Sequence, residues 1–171
     1  LIVFTSDHGA MKPGLNSPWR DYKGTLFEGG VRVPLIAKWP GVLKAGTVSR
    51  QVGSLMDLTG SFLNAAEAKL PQGLVLDGDD LIEHVRNGGK DYPRTLFWRA
   101  RRGDRTWRAI RHADWKFLSK VEGENTEEWF FHLGSDPEET KNLIAEEKHA
   151  KVLKNLRGRL SSWEKKVAHK R

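Results

Sequence analysis

The sequence contains no cysteine among its 171 residues. Disulfide bonds, thiolate metal sites and a cysteine nucleophile are therefore excluded within it. Long apolar runs are also missing, because no stretch approaches the roughly 18–20 residues of a membrane-spanning helix. We therefore expect no membrane partner. The first residues resemble neither a signal peptide nor a transit peptide.

The chain begins at Leu1, without methionine and inside a predicted strand. Such a strand needs neighbours, so we expect the sequence to be a piece of a longer polypeptide whose upstream part is its partner. The absence of a signal peptide from this piece therefore does not indicate where the protein is located. Because unpaired strand edges invite pairing with other chains, we also expect the isolated piece to self-associate.

Basic residues outnumber acidic ones. Lys and Arg number 29 and Asp and Glu 22, so the formal net charge is +7. This balance favours anionic partners, such as nucleic acid or sulfated and phosphorylated molecules, but does not indicate a fold. With 38% hydrophobic residues, the composition suffices for a core in one or two packed units.

The opening stretch contains the first candidate site. Four apolar residues, 1–4, run into the motif TSDHG at residues 5–9. This pattern predicts a buried parallel strand that delivers Asp7 and His8 to the carboxyl edge of a sheet, where open α/β sheets bind ligands. The two side chains offer oxygen and nitrogen ligands for a divalent metal. Strand ends also carry such polar residues simply to make turns.

Lys23 is the second candidate. It follows a predicted loop at residues 9–22 and precedes glycines at positions 24, 29 and 30. Glycine permits close backbone approach, and a flexible lysine suits an oxyanion that also touches the metal. The alternative interpretation is a solvated lysine beside an ordinary glycine turn.

Hydrophobic spacing and turn residues predict the remaining elements. These are strands at 31–38, 95–99, 106–111, 115–119 and 129–133, and helices at 54–69, at 81–85, from Asp136 and at 146–167. The last four strands are expected to form a small antiparallel sheet. The last helix has apolar residues three and four positions apart, so we expect it to cover that sheet.

The segment 94–120 holds nine basic and two acidic residues, interleaved with aromatic ones. Single-stranded nucleic-acid sites combine basic grooves with stacking aromatic rings. We favour a sheet whose aromatic residues pack on the helix and whose arginines point outward, so nucleic acid is not the expected partner. A basic module that binds nucleic acid or glycosaminoglycan is the main alternative to an enzyme.

Taken together, the motifs resemble the type I sulfatases, the arylsulfatase-like branch of the alkaline phosphatase superfamily. The resemblance rests first on TSDHG at 5–9, KGT at 23–25 and EGGVRVP at 28–34. Further segments agree in order: LDG at 76–78, FWR at 97–99, DWK at 114–116, FHL at 131–133 and DPEETKNL at 136–143. Nearly the whole chain is covered, and it corresponds to the carboxy-terminal part of that family.

The resemblance implies an α/β fold in two domains. Residues 1–90 would be the end of an alkaline-phosphatase-like mixed-sheet catalytic domain. Residues 91–171 would be a small four-stranded antiparallel sheet packed on a C-terminal helix. The parent is implied to hydrolyse sulfate esters in a periplasmic or secreted location. Phosphodiester or phosphonate hydrolysis, a sister chemistry of the superfamily, stays open.

Site residues are also implied by the resemblance. Asp7 would bind Ca²⁺, His8 would reach the metal or the sulfate, and Lys23 would contact sulfate oxygens. Calcium prefers hard oxygen ligands, and an ammonium stabilises charge on sulfuryl oxygens. Three arginines are candidates to hold a second charged group of a sulfated small molecule or polysaccharide: Arg101, Arg102 and Arg105.

The chain departs from the family at the nucleophile. Sulfatases use a formylglycine, made from a cysteine or serine that precedes x-Pro-x-Arg, together with a pair of aspartates. Neither that motif nor an aspartate pair preceding it is present, and we interpret the nearest pattern, NSPWR at 16–20, as a coincidence because Asn16 replaces the nucleophile. Upstream residues are expected to supply the formylglycine. The piece alone is expected to be inactive and to bind calcium more weakly than about millimolar.

Overall fold

The computed structural model describes residues 1–168. Its elements in chain order are β1 (Ile2–Thr5), α1 (Glu28–Val31), β2 (Leu35–Lys38), α2 (Asp57–Ala65), α3 (Leu81–Arg86), β3 (Thr95–Arg102), β4 (Arg105–His112), β5 (Trp115–Glu122), β6 (Asn125–His132) and α4 (Ala150–Ala168), the last preceded by a 3₁₀ turn at Glu147–His149. The chain divides into two compact units. The first comprises 1–7 and 33–93, and the second comprises 8–32 together with the chain from 94 onward. The predicted domain boundary at 90/91 stays a prediction.

In the first unit, β1 pairs with β2 in antiparallel orientation, with Val3 opposite Ala37. Ile2 and Phe4 are 69% and 63% exposed. The prediction of a buried parallel strand is therefore wrong for the described residues, since the one strand paired with β1 there is antiparallel and the side chains of Ile2 and Phe4 are uncovered. Self-association stays a prediction, which this exposed apolar pair supports.

The helices α2 and α3 are joined by buried polar groups. The carboxylate of Asp57 accepts hydrogen bonds from the backbone N–H groups of Ser54 at 2.6 Å and Asp79 at 2.9 Å. The Ser61 hydroxyl accepts one from the N–H of Ile82 at 3.1 Å. Asp57 thus ties together the segments that precede the two helices. Ser61 satisfies the N–H of Ile82 in the first turn of α3, which the helix itself leaves without a partner. Within residues 1–168, no helix has the length and apolar character to cross a membrane.

In the second unit, the strands β3 to β6 form an antiparallel sheet in chain order. Each strand is eight residues long and is joined to the next by two residues. The four predicted strands are thus present but longer than predicted. The reason is that the turns are tight, so polar residues beside them still pair across the sheet.

The sheet has two faces, because successive side chains of a strand point to opposite sides. One face carries Ala109, Leu118 and Phe131 and is covered by Leu26 and Phe27; we call it the loop face. The other face carries Ile110, Phe117 and Phe130 and is covered by Leu153, Leu156 and Leu160 of α4; we call it the helix face. The predicted packing of the sheet on the last helix is confirmed.

The prediction of a helix from Asp136 is wrong. Its carboxylate accepts hydrogen bonds from the backbone N–H groups of Thr140 at 3.0 Å and Lys141 at 2.9 Å, as a cap would. Glu139, however, has a φ of 57°. This left-handed conformation ends the helical path, since helices need negative φ. It belongs to a segment of turns in which the Glu139 side chain is fully buried.

Candidate functional site

Asn16 ties together the loop that leads to Lys23. Its amide nitrogen donates to the carbonyls of Ala10 at 2.9 Å and Asp21 at 3.1 Å. Its side-chain oxygen accepts from the N–H of Ala10 at 2.7 Å. Asn16 therefore has a structural role, which agrees with the interpretation that NSPWR at 16–20 is not a nucleophile motif.

Gly29 and Gly30 allow the same loop to close on itself. A Cβ on Gly29 would lie 2.3 Å from the carbonyl oxygen of Asp21, and one on Gly30 would lie 2.3 Å from that of Thr25. No side chain fits at either position, because real Cβ atoms do not approach backbone atoms so closely. The close approach predicted for a ligand is made here by the backbone of the loop. As a result, Lys23 is held in place on a packed loop.

Lys23 is exposed, and its backbone N–H donates to the carbonyl of Ala10 at 3.1 Å. Arg102, at the end of β3 on the loop face, reaches the same place. Its Nη1 atom lies 4.0 Å from the position that a Cβ on Gly24 would occupy. Among the described residues, neither Lys23 nor Arg102 has a carboxylate within ion-pair distance. The two cations are thus available to an anionic ligand.

The other two candidate arginines are placed differently. Arg105 also lies on the loop face, but its Nη2 atom donates to Glu122 in an ion pair. Arg101 lies on the helix face, and its Nε donates to the carbonyl of Gly103 at 3.3 Å. Of the three arginines, Arg102 is the one that the fold brings to the Lys23 loop.

Replacing Arg105 with alanine is expected to raise the pKa of Glu122. Hydrogen bonds from Arg105 and then Lys120 hold this pKa at about 2, against an ordinary value of 4.5. A lowered carboxyl pKa stabilises the fold above the ordinary value, and the contribution is lost as the pH falls toward about 2. An NMR titration of the Glu122 carboxyl carbon measures the change.

Glu146 is the internal control for that titration. Its pKa is also about 2, but Lys141 and Lys148 lower it, so the substitution should leave it unchanged. If the pKa of Glu122 stayed the same, Arg105 would not be paired with Glu122 in solution. Arg105 would then again be a candidate for ligand binding.

Asp7 and His8 are neighbours in the sequence but belong to different compact units. Asp7 is exposed and His8 is half-buried. The Nδ1 atom of His8 donates to the carbonyl of Gly9 at 3.0 Å, so in the neutral ring Nε2 carries the lone pair. Within residues 1–168, no cluster of three or more His, Asp and Glu side chains is arranged for a metal ion.

Asp7 has the chemistry of a calcium ligand, whereas His8 does not. The Asp7 carboxylate is a hard oxygen ligand of the kind that calcium prefers, and the His8 nitrogen is a ligand of softer metals or a donor to an anion when protonated. Calcium takes about six to eight oxygen ligands. Most of the ligands of a calcium ion bound by Asp7 would have to come from residues other than Asp7 and His8.

Sequence reasoning missed a buried ion cluster below the α1 segment. The Lys116 side chain on the loop face is fully buried, and its Nζ lies 2.7 Å from Glu28 Oε1 and 2.9 Å from Glu139 Oε1. The backbone N–H of Glu28 donates to Glu139 Oε2 at 2.6 Å. Arg111 Nη1 lies 3.8 Å from Glu28 Oε2. Arg32 Nη1 lies 3.5 Å from the same oxygen. The cluster therefore contains three cations and two carboxylates, and it ties the end of the Lys23 loop to the sheet.

The two carboxylates differ in electrostatic environment. Burial raises the pKa of Glu28, but the charges of Lys116, Arg111 and Arg32 together outweigh burial and hold this pKa below its ordinary value. For Glu139 burial prevails over Lys116 and raises the pKa. Its Oε1 atom is close to Nζ yet lacks hydrogen-bond geometry. Glu28 is thus the principal partner of Lys116.

A sequence signal for the cluster exists. Lys116 stands between Trp115 and Phe117, in a strand where alternation places it on the same face as Leu118. A cation at a buried strand position needs a carboxylate partner. The pattern does not indicate which of the 22 acidic residues supplies it.

Comparison with known proteins identifies relatives over most of the chain. The profile of the family described as "N-sulphoglucosamine sulphohydrolase, C-terminal" matches residues 17–166. N-acetylgalactosamine-6-sulfatase of Mus musculus is 45% identical over 94 residues, which are 52% of this chain and 18% of that protein. A sulfatase of Formosa agariphila is 34% identical over 181 aligned positions, covering 95% of this chain and 32% of that protein.

A solved structure shares the fold. The structure of BT4656 in complex with its substrate D-glucosamine-2-N,6-O-disulfate has a TM-score of 0.78 and 24% identity, covering 98% of this chain and 34% of that chain. The predicted fold class is thereby confirmed. The chain spans about a third or less of the length of these relatives. Because the family profile matches most of its residues, the chain belongs to the N-sulphoglucosamine sulphohydrolase C-terminal family and is consistent with the carboxy-terminal portion of a type I sulfatase.

Proposed function

We propose that this chain is part of an enzyme that hydrolyses sulfate esters of a sugar, with the nucleophile segment upstream in the same polypeptide. The observation that carries the proposal is the exposed Lys23 on a self-packed loop of a chain that belongs to a sulfatase family. Arg102 Nη1 lies 4.0 Å from the position of a Cβ on the neighbouring Gly24 and supports it. BT4656, which shares the fold, has a disulfated glucosamine as its substrate. The substrate of BT4656 supports the proposal that the enzyme to which this chain belongs acts on a sulfated sugar.

Lys23 would act on the sulfuryl oxygens. When the ester bond between sulfur and oxygen breaks, negative charge grows on the leaving oxygen, which is bonded to the same sulfur as the oxygens that Lys23 would contact. A fixed ammonium stabilises that charge more strongly than it stabilises the bound ester, so it accelerates the step. The hydrogen bond to Ala10 and the packing at Gly29 and Gly30 hold the Lys23 backbone in advance, so little reorganisation is needed.

Asp7 would hold calcium together with ligands from the upstream part, and His8 would reach the metal or the sulfate. When bound, calcium supplies positive charge beside the sulfate, and the formylglycine hydrate supplies the oxygen that attacks sulfur. Within this chain Asp7 is the one convincing carboxylate for that metal. We therefore expect the chain alone to bind calcium more weakly than about millimolar and not to turn over sulfate esters.

The proposal is tested by hydrolysis with the complete polypeptide. Glucosamine 6-sulfate and a phosphodiester and a phosphonate of similar size are the probes, and release of inorganic sulfate is the expected result. The 171-residue chain alone serves as the inactive control. Turnover of the phosphodiester or the phosphonate without sulfate release would replace the proposal with the sister chemistry.

Arg102→Ala is expected to raise the KM for a disulfated glucosamine about tenfold with little change in kcat. Charged hydrogen bonds contribute roughly 1.5–3 kcal/mol, and 1.4 kcal/mol corresponds to a factor of ten. Arg102 would contact the second sulfate and not the reacting one, so the KM for a monosulfated sugar should stay constant. Steady-state kinetics with both sugars measure this.

Arg105→Ala is the matched control, because Arg105 lies on the same face but is paired with Glu122. It should leave both KM values unchanged. If Arg102→Ala raised the KM for both sugars by the same factor, Arg102 would not be a contact of the second sulfate.

A further inference from the structure

A groove of about 740 Å³ runs along the exposed side of α4. Its lining includes four cations and no carboxylate: Lys151, Lys154, Arg159 and Lys166. Within residues 1–168, none of the four is within ion-pair distance of a carboxylate, whereas Arg157 of the same helix is paired with Glu128. Lys151 and Lys166 are separated by about 22 Å along the helix, at 1.5 Å per residue. The groove therefore presents an extended row of uncompensated positive charge.

The floor of the groove consists of small and polar residues. Gly158 lies in the middle of α4, between Asn155 and Ser162. Nothing lies within 4 Å of a Cβ at Gly158, so no neighbour excludes a side chain there. Glycine is a poor helix former, and here its effect is to keep the groove open between the flanking cations.

One wall of the groove is aromatic. The rings of Phe97 and Trp163 are stacked, with centroids 5.0 Å apart and an interplanar angle of 4°. Because the rings face each other, they offer no series of free faces on which successive nucleic-acid bases could stack. The leucines of α4 are buried against the sheet, so the helix has no apolar stripe to insert into a membrane.

We propose that this groove binds a sulfated glycan chain. The cations would contact sulfate groups, while Asn155 and Ser162 would form hydrogen bonds to sugar hydroxyls. Charge complementarity favours a polyanion, and the polar floor favours one rich in hydroxyls over a nucleic acid.

The groove is separate from the Lys23 site. It lies where α4 covers the helix face, whereas the segment that carries Lys23 covers the loop face of the same sheet. A monosaccharide could occupy one of the two places, but a polymer could be held by both and so remain near the enzyme. The inference goes beyond the proposed function, and its test does not depend on turnover.

The test is binding of heparin to the chain, measured by calorimetry at constant ionic strength. The triple variant Lys151→Glu, Lys154→Glu and Arg159→Glu is expected to bind at least about tenfold more weakly. The control, Lys44→Glu, Lys69→Glu and Lys90→Glu, makes the same change in net charge at exposed lysines elsewhere and should retain the affinity. Equal losses in the two variants would overturn the proposal, because they would indicate unspecific charge attraction.

A second pair of variants leaves the charge unchanged. Gly158→Leu places a side chain in the open floor and is expected to weaken heparin binding more than about threefold, while Gly158→Ala should have little effect. Both replace glycine with a better helix former, so the fold is expected to persist, and circular dichroism checks this. Unchanged binding by Gly158→Leu would count against the groove. Single-stranded DNA that binds through the same residues as tightly as heparin would refute the ligand class.

Discussion

Replacing Lys116 with methionine is expected to lower the free energy of unfolding of the chain by about 3–5 kcal/mol. Methionine has a similar length, but it leaves the buried carboxylates of Glu28 and Glu139 without their common cation. An uncompensated buried charge costs far more than the loss of one surface contact. Equilibrium unfolding in urea measures the difference.

Lys120→Met is the matched control. Lys120 lies on the same strand and the same face, but its side chain is 19% exposed and its partners, Glu122 and Glu127, are at the surface. The decrease in the free energy of unfolding should therefore be much smaller than for Lys116→Met, because solvent screens the surface pairs. Equal losses from the two substitutions would show that the ion cluster contributes no more than a surface pair.

The effect of Lys116→Met should also depend on pH. The pKa of Glu28 lies below its ordinary value, 4.5, so its ionised form contributes stability above that pH and loses the contribution as the pH falls. A protonated carboxyl group needs no ammonium. The difference in free energy of unfolding between the unaltered chain and Lys116→Met should therefore decrease as the pH is lowered.

Replacing Lys23 with alanine in the complete polypeptide is expected to lower kcat for a sulfated sugar about 10²- to 10³-fold. This is the usual effect of removing one group that stabilises charge in a transition state. KM should change less, because the charge that develops on the leaving oxygen is absent from the bound ester. Stopped assays of sulfate release measure both constants.

Two controls separate this role from a structural one. Lys23 is exposed, so the free energy of unfolding should be unchanged in Lys23→Ala. Lys12→Ala removes another lysine of the same loop, one that lies 4.7 Å from the ring of Tyr22, and should keep kcat within a factor of about two. A kcat of Lys23→Ala close to that of the unaltered enzyme would exclude Lys23 from the reaction.

The small sheet and its helix could be predicted from the sequence because their signals are local. Alternating residues and turn residues define each strand, and neighbouring strands pair in order. The sequence predicts that β6 starts at Trp129, because residues 125–128 are polar, whereas the strand starts at Asn125. Their pairing depends on β5, a neighbour that periodicity does not reveal.

The environment of β1 and the ion cluster could not be predicted, since each depends on distant residues. The pattern of residues 1–4 indicates a strand but not its partner, which is β2 in antiparallel orientation. Glu28 and Lys116 are 88 residues apart, and Glu28 and Glu139 are 111 apart. Among the three candidate arginines, the faces of the strands exclude only Arg101. Arg105 is excluded by its ion pair with Glu122, a contact that the sequence pattern does not indicate.

The buried ammonium of Lys116 also has a consequence for the register of the sheet. A shift of β5 by one residue would turn every side chain to the opposite face. Lys116 would then lie among the leucines of α4 in the place of Phe117, with its charge uncompensated. That misaligned pairing would be strongly disfavoured, so this one side chain selects Arg111 and Phe131 as the residues opposite it and thereby aligns three strands at once.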